Sequence, residues 1–207
     1  MTTIAASQTN PAEDVPLSLR GPASVRVVAG FGFWLFLLSD IVMFAAFFAV
    51  YAVLSGEVAG GPSGLALFDK HRVFVETLCL LISSVTCGFG SIAVQRGDRF
   101  ATYLWMGVTF VLGALFLGLE LTEFSGMVAS GAGPSRSAFL SAFFALVGMH
   151  GVHVTLGLCW LVVMLLQLTT LGFQPMVRRR FFCFALFWHA LDIVWVGVFT
   201  IVYLGAR

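Results

Sequence analysis

The chain alternates between long apolar runs and short polar breaks. Five runs stand out, at about Val27 to Leu54, Val73 to Val94, Phe100 to Val128, Ala138 to Leu168 and Phe181 to Gly205. Each meets or exceeds the roughly 20 residues that carry an α-helix across a ~30 Å hydrocarbon core. The longer ones must tilt or protrude. None alternates apolar and polar positions over the ~10 residues of a barrel strand, so helix is the spanning form. The breaks carry Gly60-Gly61-Pro62, Gln95-Arg96-Gly97-Asp98-Arg99, Gly131-Ala132-Gly133-Pro134, and a fourth connection with Gly172, Pro175 and Arg178-Arg179-Arg180. Gly, Pro and charge in such clusters end helices. The predicted fold is an all-α integral membrane protein, a five-helix transmembrane bundle over residues 25–207. A polar, mobile tail over residues 1–24 precedes it; it contains Pro11, Pro16 and Pro22 and lacks the basic start and short apolar core of a signal peptide. No internal repeat and no separate soluble domain is visible.

Composition sharpens this reading. Of 207 residues, 59% are hydrophobic and only 10% charged, with a mean hydropathy of +1.00. Soluble domains carry about 25% charged residues, and disorder needs low hydrophobicity, so both are excluded. The net charge of +1 gives no basic field for nucleic acid. Cys79, Cys87, Cys159 and Cys183 all lie in apolar runs without a C-x-x-C pair. They read as small buried hydrophobes and not as a zinc or copper site.

Orientation follows from Lys and Arg. The tail, the second and the fourth connections hold seven: Arg20, Arg26, Arg96, Arg99, Arg178, Arg179 and Arg180. The other side holds four: Lys70, Arg72, Arg136 and Arg207. The positive-inside rule predicts a cytoplasmic amino end and, with an odd number of spans, a periplasmic carboxyl end.

All Lys and Arg fall outside the five runs, whereas Asp40, Glu76, Glu120, Glu123 and Asp192 fall inside, with His150, His153 and His189. A charge at the bilayer centre costs roughly 2.5–3.5 kcal/mol on insertion scales, so such residues face inward, pair or protonate. With no other basic group at hand, the pattern predicts neutral, hydrogen-bonded acids or Glu–His pairs. Glu120 and Glu123, His150 and His153, and His189 and Asp192 are each three apart, hence on one helix face. Trp188, Asp192 and Trp195 form a stripe, and Ala114 with Gly118 makes a small-xxx-small pair for close helix approach. Three uses remain open for these side chains: interhelical ties, a proton or ion path, or haem ligation by His150 or His153 with His189. No H-E-x-x-H or similar metal motif is present. A transporter would show inverted repeats or broken spans in matching positions, and neither is seen.

At these residues the chain resembles subunit III of haem–copper terminal oxidases. Phe31-Gly32-Phe33-Trp34 with Ser39-Asp40 and Ala46 to Leu54 resembles the opening span of the short form. Val75-Glu76-Thr77 with Ser83-Ser84-Val85-Thr86 is similar to its carboxylate-bearing second span, and Leu117-Gly118-Leu119-Glu120 with Glu123-Phe124 to its paired-glutamate segment. Gly148-Met149-His150-Gly151-Val152-His153-Val154 resembles the G-x-H-G-h-H-V signature, and Trp188-His189 through Asp192 to Trp195 the W-H-x-x-D-x-V-W ending. The resemblance runs from about Gly30 to Leu204, in order and at family spacing. The two extra amino-terminal spans of longer subunits are absent, as in the five-span bacterial quinol-oxidase branch; some cytochrome c oxidases share this form, so the electron donor stays open.

The resemblance implies an accessory, non-redox subunit of a proton-translocating oxidase in the bacterial inner membrane. No catalytic, cofactor or metal residue is then expected in this chain. Low-spin haem, high-spin haem and copper would sit in subunit I, the main contact, with subunits II and IV, phospholipid and ubiquinol elsewhere in the complex. Asp40, Glu76, Glu120, Glu123, His150, His153, His189 and Asp192 are its candidate structural, proton-path or lipid-cleft residues. Glu120 or Glu123 is expected to pair with His150 or His153 across neighbouring helices.

Overall fold

The computed structural model describes residues 25–59 and 70–205. The tail before residue 25 and the Gly60-Gly61-Pro62 break lie outside them. Five helices are long and apolar enough to cross a membrane: α1 Val25–Leu54, α2 Lys70–Arg96, α3 Arg99–Ala129, α4 Ala138–Leu171 and α5 Pro175–Val198, the last running into a π-helical turn, Phe199–Leu204.

The ends follow local chemistry. Gly97 takes φ 76° in the tight turn between α2 and α3, a conformation that glycine adopts without strain. The next residue, Asp98, caps α3 by accepting from the Ala101 N–H at 3.1 Å. Ser137 caps α4 by accepting from Leu140 N–H at 3.2 Å. Gly172, at φ 64°, closes α4. The start of α5 corrects the sequence reading. Pro175 occupies the first turn, where its missing N–H is no loss. The helix therefore begins six residues before the expected Phe181, and Arg178-Arg179-Arg180 lie on its opening turns instead of in the connection. Lys70 and Arg72 likewise lie on α2. Helices continue past the hydrocarbon into the interface, where basic side chains are tolerated.

α2 packs along α3, as the two-residue turn between them requires, and α5 packs against both α2 and α4. α3 also touches α4, while α1 leans on α4 and α5 from the far side. α1 joins through a narrow seam: Leu37, Phe44 and Tyr51, each seven residues apart, are buried. Its other faces present Phe31, Trp34, Leu35, Ile41 and Val42 outward. The core is largely aromatic, with Phe116, Phe143, Phe181, Phe184, Trp188, Trp195 and Tyr203 all buried.

Close approach occurs at Gly113, not at the expected Ala114 and Gly118. A Cβ on Gly113 would lie 2.8 Å from the Trp188 ring, whereas one on Gly118 would meet nothing within 4 Å. The cysteines also depart from expectation. Cys79 and Cys87 are buried, but Cys183 is half-buried and Cys159 exposed on the outside of the bundle. An apolar run does not say which of its positions faces inward.

Candidate functional site

The intramembrane polar residues fall into three groups, each built where helices cross. The first gathers the glutamates. Glu76 on α2 and Glu120 and Glu123 on α3 are all buried and close enough to interact electrostatically. Arg72, one turn before Glu76, brings its Nε to 3.7 Å from Glu76 Oε1. Its Nη2 donates to the Leu119 carbonyl at 3.0 Å and to the Thr122 hydroxyl. The π turn supplies Tyr203, whose hydroxyl donates to Glu123 Oε2 at 3.4 Å. Glu120 turns toward α4 and lies against Gly151, where a Cβ would come 2.6 Å from its Oε1.

The cation is a correction. The sequence suggested no basic partner but histidine, because Arg72 precedes the apolar run. Its long side chain reaches in from the end of α2 along the i,i+4 face. Tyr203 was missed as well; nothing local marks a π turn, which is the feature that aims this residue inward.

The second group surrounds the histidines of α4. His150 is fully buried and boxed by Phe44 of α1 at 6.4 Å, Phe116 of α3 at 5.8 Å and Trp195 of α5 at 5.1 Å between ring centroids. Neither ring nitrogen has a hydrogen-bond partner among the described residues. His153 bonds its own helix, Nδ1 to the Met149 carbonyl at 2.8 Å, and packs on Phe44 at 5.2 Å. Asp40 of α1 lies within electrostatic reach of it. The expected Glu–His hydrogen bonds from α3 to His150 or His153 are therefore not formed. A spacing of three places two groups on one face but does not choose the neighbour across it. Here Gly151 draws Glu120 in, and aromatic rings occupy the space around His150.

The third group is a zipper between α2 and α5. Trp188 Nε1 donates to Ser83 Oγ at 3.0 Å and Trp195 Nε1 to Thr77 Oγ1 at 3.1 Å. Next to them, His189 Nδ1 and Ser84 Oγ are 2.6 Å apart, and Asp192 lies near the same serine. His189 and Asp192, three residues apart on α5, lie within electrostatic reach of each other, as their shared helix face suggested. On the other face of α2, Thr86 and Thr109 of α3 share a 2.8 Å hydrogen bond.

These positions do not fit a haem held by His150 or His153 and His189. Phe116 and Trp195 rings meet at 4.6 Å beside His150, which leaves no slot for a macrocycle, and His189 is held by Ser84 at the α2–α5 seam. Among the described residues, no three His, Cys, Asp or Glu side chains converge as a metal site.

A helical bundle stitched by buried carboxyls, indoles and hydroxyls has known counterparts. A family profile described as "Cytochrome c oxidase subunit III" matches residues 16–206. The chain belongs to the cytochrome c oxidase subunit III family. It is 53% identical to "Cytochrome bo(3) ubiquinol oxidase subunit 3" of Pseudomonas aeruginosa over 84% of this chain and 83% of that one. It is 44% identical to "Quinol oxidase subunit 3" of Bacillus subtilis, covering 84% and 85%. It is also 43% identical to "Cytochrome c oxidase subunit 3" of Bacillus sp. PS3, covering 84% of each.

Proposed function

We propose that this chain is the accessory, non-redox subunit III of a proton-pumping haem–copper terminal oxidase that oxidises ubiquinol and reduces oxygen to water. The observation that carries the accessory role is the use of the polar groups. Glu76, Glu123, Trp188, Trp195 and His189 are engaged by side chains of the same bundle, and Asp40 of α1 lies within electrostatic reach of His153 of α4. That supports a scaffold that steadies subunit I, with both haems and the copper in subunit I and subunits II and IV completing the complex.

The multi-pass bundle belongs in the bacterial inner membrane, with the residues 1–24 tail cytoplasmic and the carboxyl end periplasmic. The seven-to-four bias of Lys and Arg supports this orientation. A largely apolar recess of about 350 Å³ lined by His71, Val73, Phe74, Phe199, Tyr203 and Leu204 supports binding of a phospholipid acyl chain. Ubiquinol as donor rests on the greater identity to the relative named for it. The relative named for cytochrome c supports the second reading, a subunit III of a cytochrome c oxidase.

The test is purification through a tag on this chain in mild detergent, with a reduced-minus-oxidised spectrum and oxygen uptake on ubiquinol and on cytochrome c. Haem bands that co-purify, leave with a large partner in harsher detergent, and oxidise ubiquinol bear out the proposal. Oxidation of cytochrome c alone moves the chain to the second reading. Haem retained by the stripped chain overturns both.

A further inference from the structure

The arginine-rich end of the bundle carries a groove that the buried polar groups do not use. It lies on the outside between α2 and α3, with a volume of about 240 Å³, and reaches from Arg96 and Asp98 at its mouth to Phe89 and Trp105 at its inner end. Ala93 and Ala101 in its lining are small and leave it open. The rings of Phe89 and Trp105 meet at 5.0 Å between centroids, and Phe89 and Ile92 are 48% and 45% exposed. Arg96 is seven residues from Phe89, about 10 Å along α2. That distance leads from the headgroup level of a bilayer into its acyl chains, and an indole such as Trp105 suits the boundary between them.

The mouth is cationic without a matching counter-charge. Arg96 is exposed and makes no hydrogen bond or ion pair among the described residues. Asp98 uses its carboxylate on the α3 cap, where it accepts from the Ala101 N–H. The connection from α4 to α5 brings further positive charge beside the turn. Arg178 donates to the Gln95 carbonyl at 3.3 Å, and its Nη2 lies 3.4 Å from the place of a Cβ on Gly97. Arg99, Arg179 and Arg180 share this end, and Asp98 is its one acid among the described residues. A molecule that fits the groove is apolar for about 10 Å and anionic at one end. An anionic phospholipid has that form. Phosphatidylethanolamine offers the same phosphate, but its ammonium group would face arginines and find only a carboxylate already held by the cap.

We propose that this groove holds one anionic phospholipid, its phosphate on Arg96 and the upper part of an acyl chain between Phe89 and Trp105. The site is separate from the recess beside Val73 and Phe199, at the opposite end of the bundle, and it selects by headgroup. It rests on the bundle crossing a membrane; only its leaflet, the cytoplasmic one, rests on the orientation proposed above.

The test uses the whole complex, purified through a tag on this chain and placed in phosphatidylcholine nanodiscs. Phosphatidylglycerol or phosphatidylcholine with a diazirine in one acyl chain is added as a minor component. After illumination the haem spectrum is taken and adducts are located by peptide mass. The phosphatidylglycerol probe should label the segment from Phe89 to Trp105 about five-fold more than the phosphatidylcholine probe. Arg96→Gln should remove that preference, and Ala101→Leu, which fills the groove, should lower labelling by both probes. Equal labelling by the two probes, or a preference that survives Arg96→Gln, would overturn the site. So would protein adducts from a photoreactive phenylalanine analogue at Ile92, because a neighbouring subunit would then fill the groove. A complex without haem would overturn the accessory role instead, and the labelling pattern would still decide the lipid site.

Discussion

Glu120 of α3 reaches α4 at a glycine: a Cβ on Gly151 would sit 2.6 Å from its Oε1 and 3.1 Å from both Cδ and Oε2. The carboxyl fills the place a side chain would take. Gly151→Ala should force apart two helices or a buried carboxyl, at a cost of about 1–3 kcal/mol. Replacing Glu120 by Ala in the same chain makes room, so the double variant should be more stable than the two single losses added. Thermal unfolding of the detergent-solubilised complex for the four members of the cycle checks this; simple additivity would mean that the contact is not made.

The glutamates also separate a scaffold from a proton path. Glu120→Ala and Glu123→Ala should lower the yield of assembled complex, while turnover per haem in the complexes that do assemble stays near normal. Quantifying subunit III per haem beside oxygen uptake gives both numbers from one preparation. Full assembly with a large loss of turnover would show that these acids pass protons.

The α2–α5 zipper makes a pairwise prediction. Thr77→Val leaves the Trp195 N–H buried and unpaired, which costs about 1–3 kcal/mol. Trp195→Phe removes the donor and leaves a cavity where the larger indole stood, a packing cost that the cycle subtracts. A double-mutant cycle should return a coupling of about 0.6–2 kcal/mol, the range of interhelical hydrogen bonds in membranes. Ser83 with Trp188 should behave alike, and Thr122→Val, whose hydroxyl joins neither indole, serves as the comparison.

The spans were legible because hydropathy and length are summed over many residues: four of the five helices end within three residues of the apolar runs. The fifth was read short because Arg178-Arg179-Arg180 look like a loop to a rule that counts charges, while Pro175 sets the true start. The inward character of Glu76, Glu120, Glu123 and His150 was legible from the cost of burying them in lipid. Their partners were not. Whether Glu120 meets His150 or Gly151 depends on the rotation of α3 against α4, and Ser84 meets His189 only because α2 lies beside α5. The indole–hydroxyl pairs left one trace, since Trp188 and Trp195 are seven residues apart and Ser83 and Thr77 six, in antiparallel order.

Arg72 offers the last test, because it is the cation that reaches the glutamate group from the end of α2. Glu76 is its ion-pair partner at 3.7 Å, and its guanidinium also ties α2 to the Leu119 carbonyl and Thr122 of α3. Arg72→Met keeps the aliphatic stem and removes the charge and its donors. Glu76 then loses its cation, and the complex should lose about 1–3 kcal/mol of stability. Glu76→Gln on that background removes the charge left alone, so it should restore part of the loss. By itself, in the presence of Arg72, Glu76→Gln should be destabilising. The sign of the Glu76→Gln effect therefore reverses with the residue at position 72. Unfolding of the four complexes in detergent reads that sign directly, and the same sign on both backgrounds would show that Arg72 and Glu76 act independently.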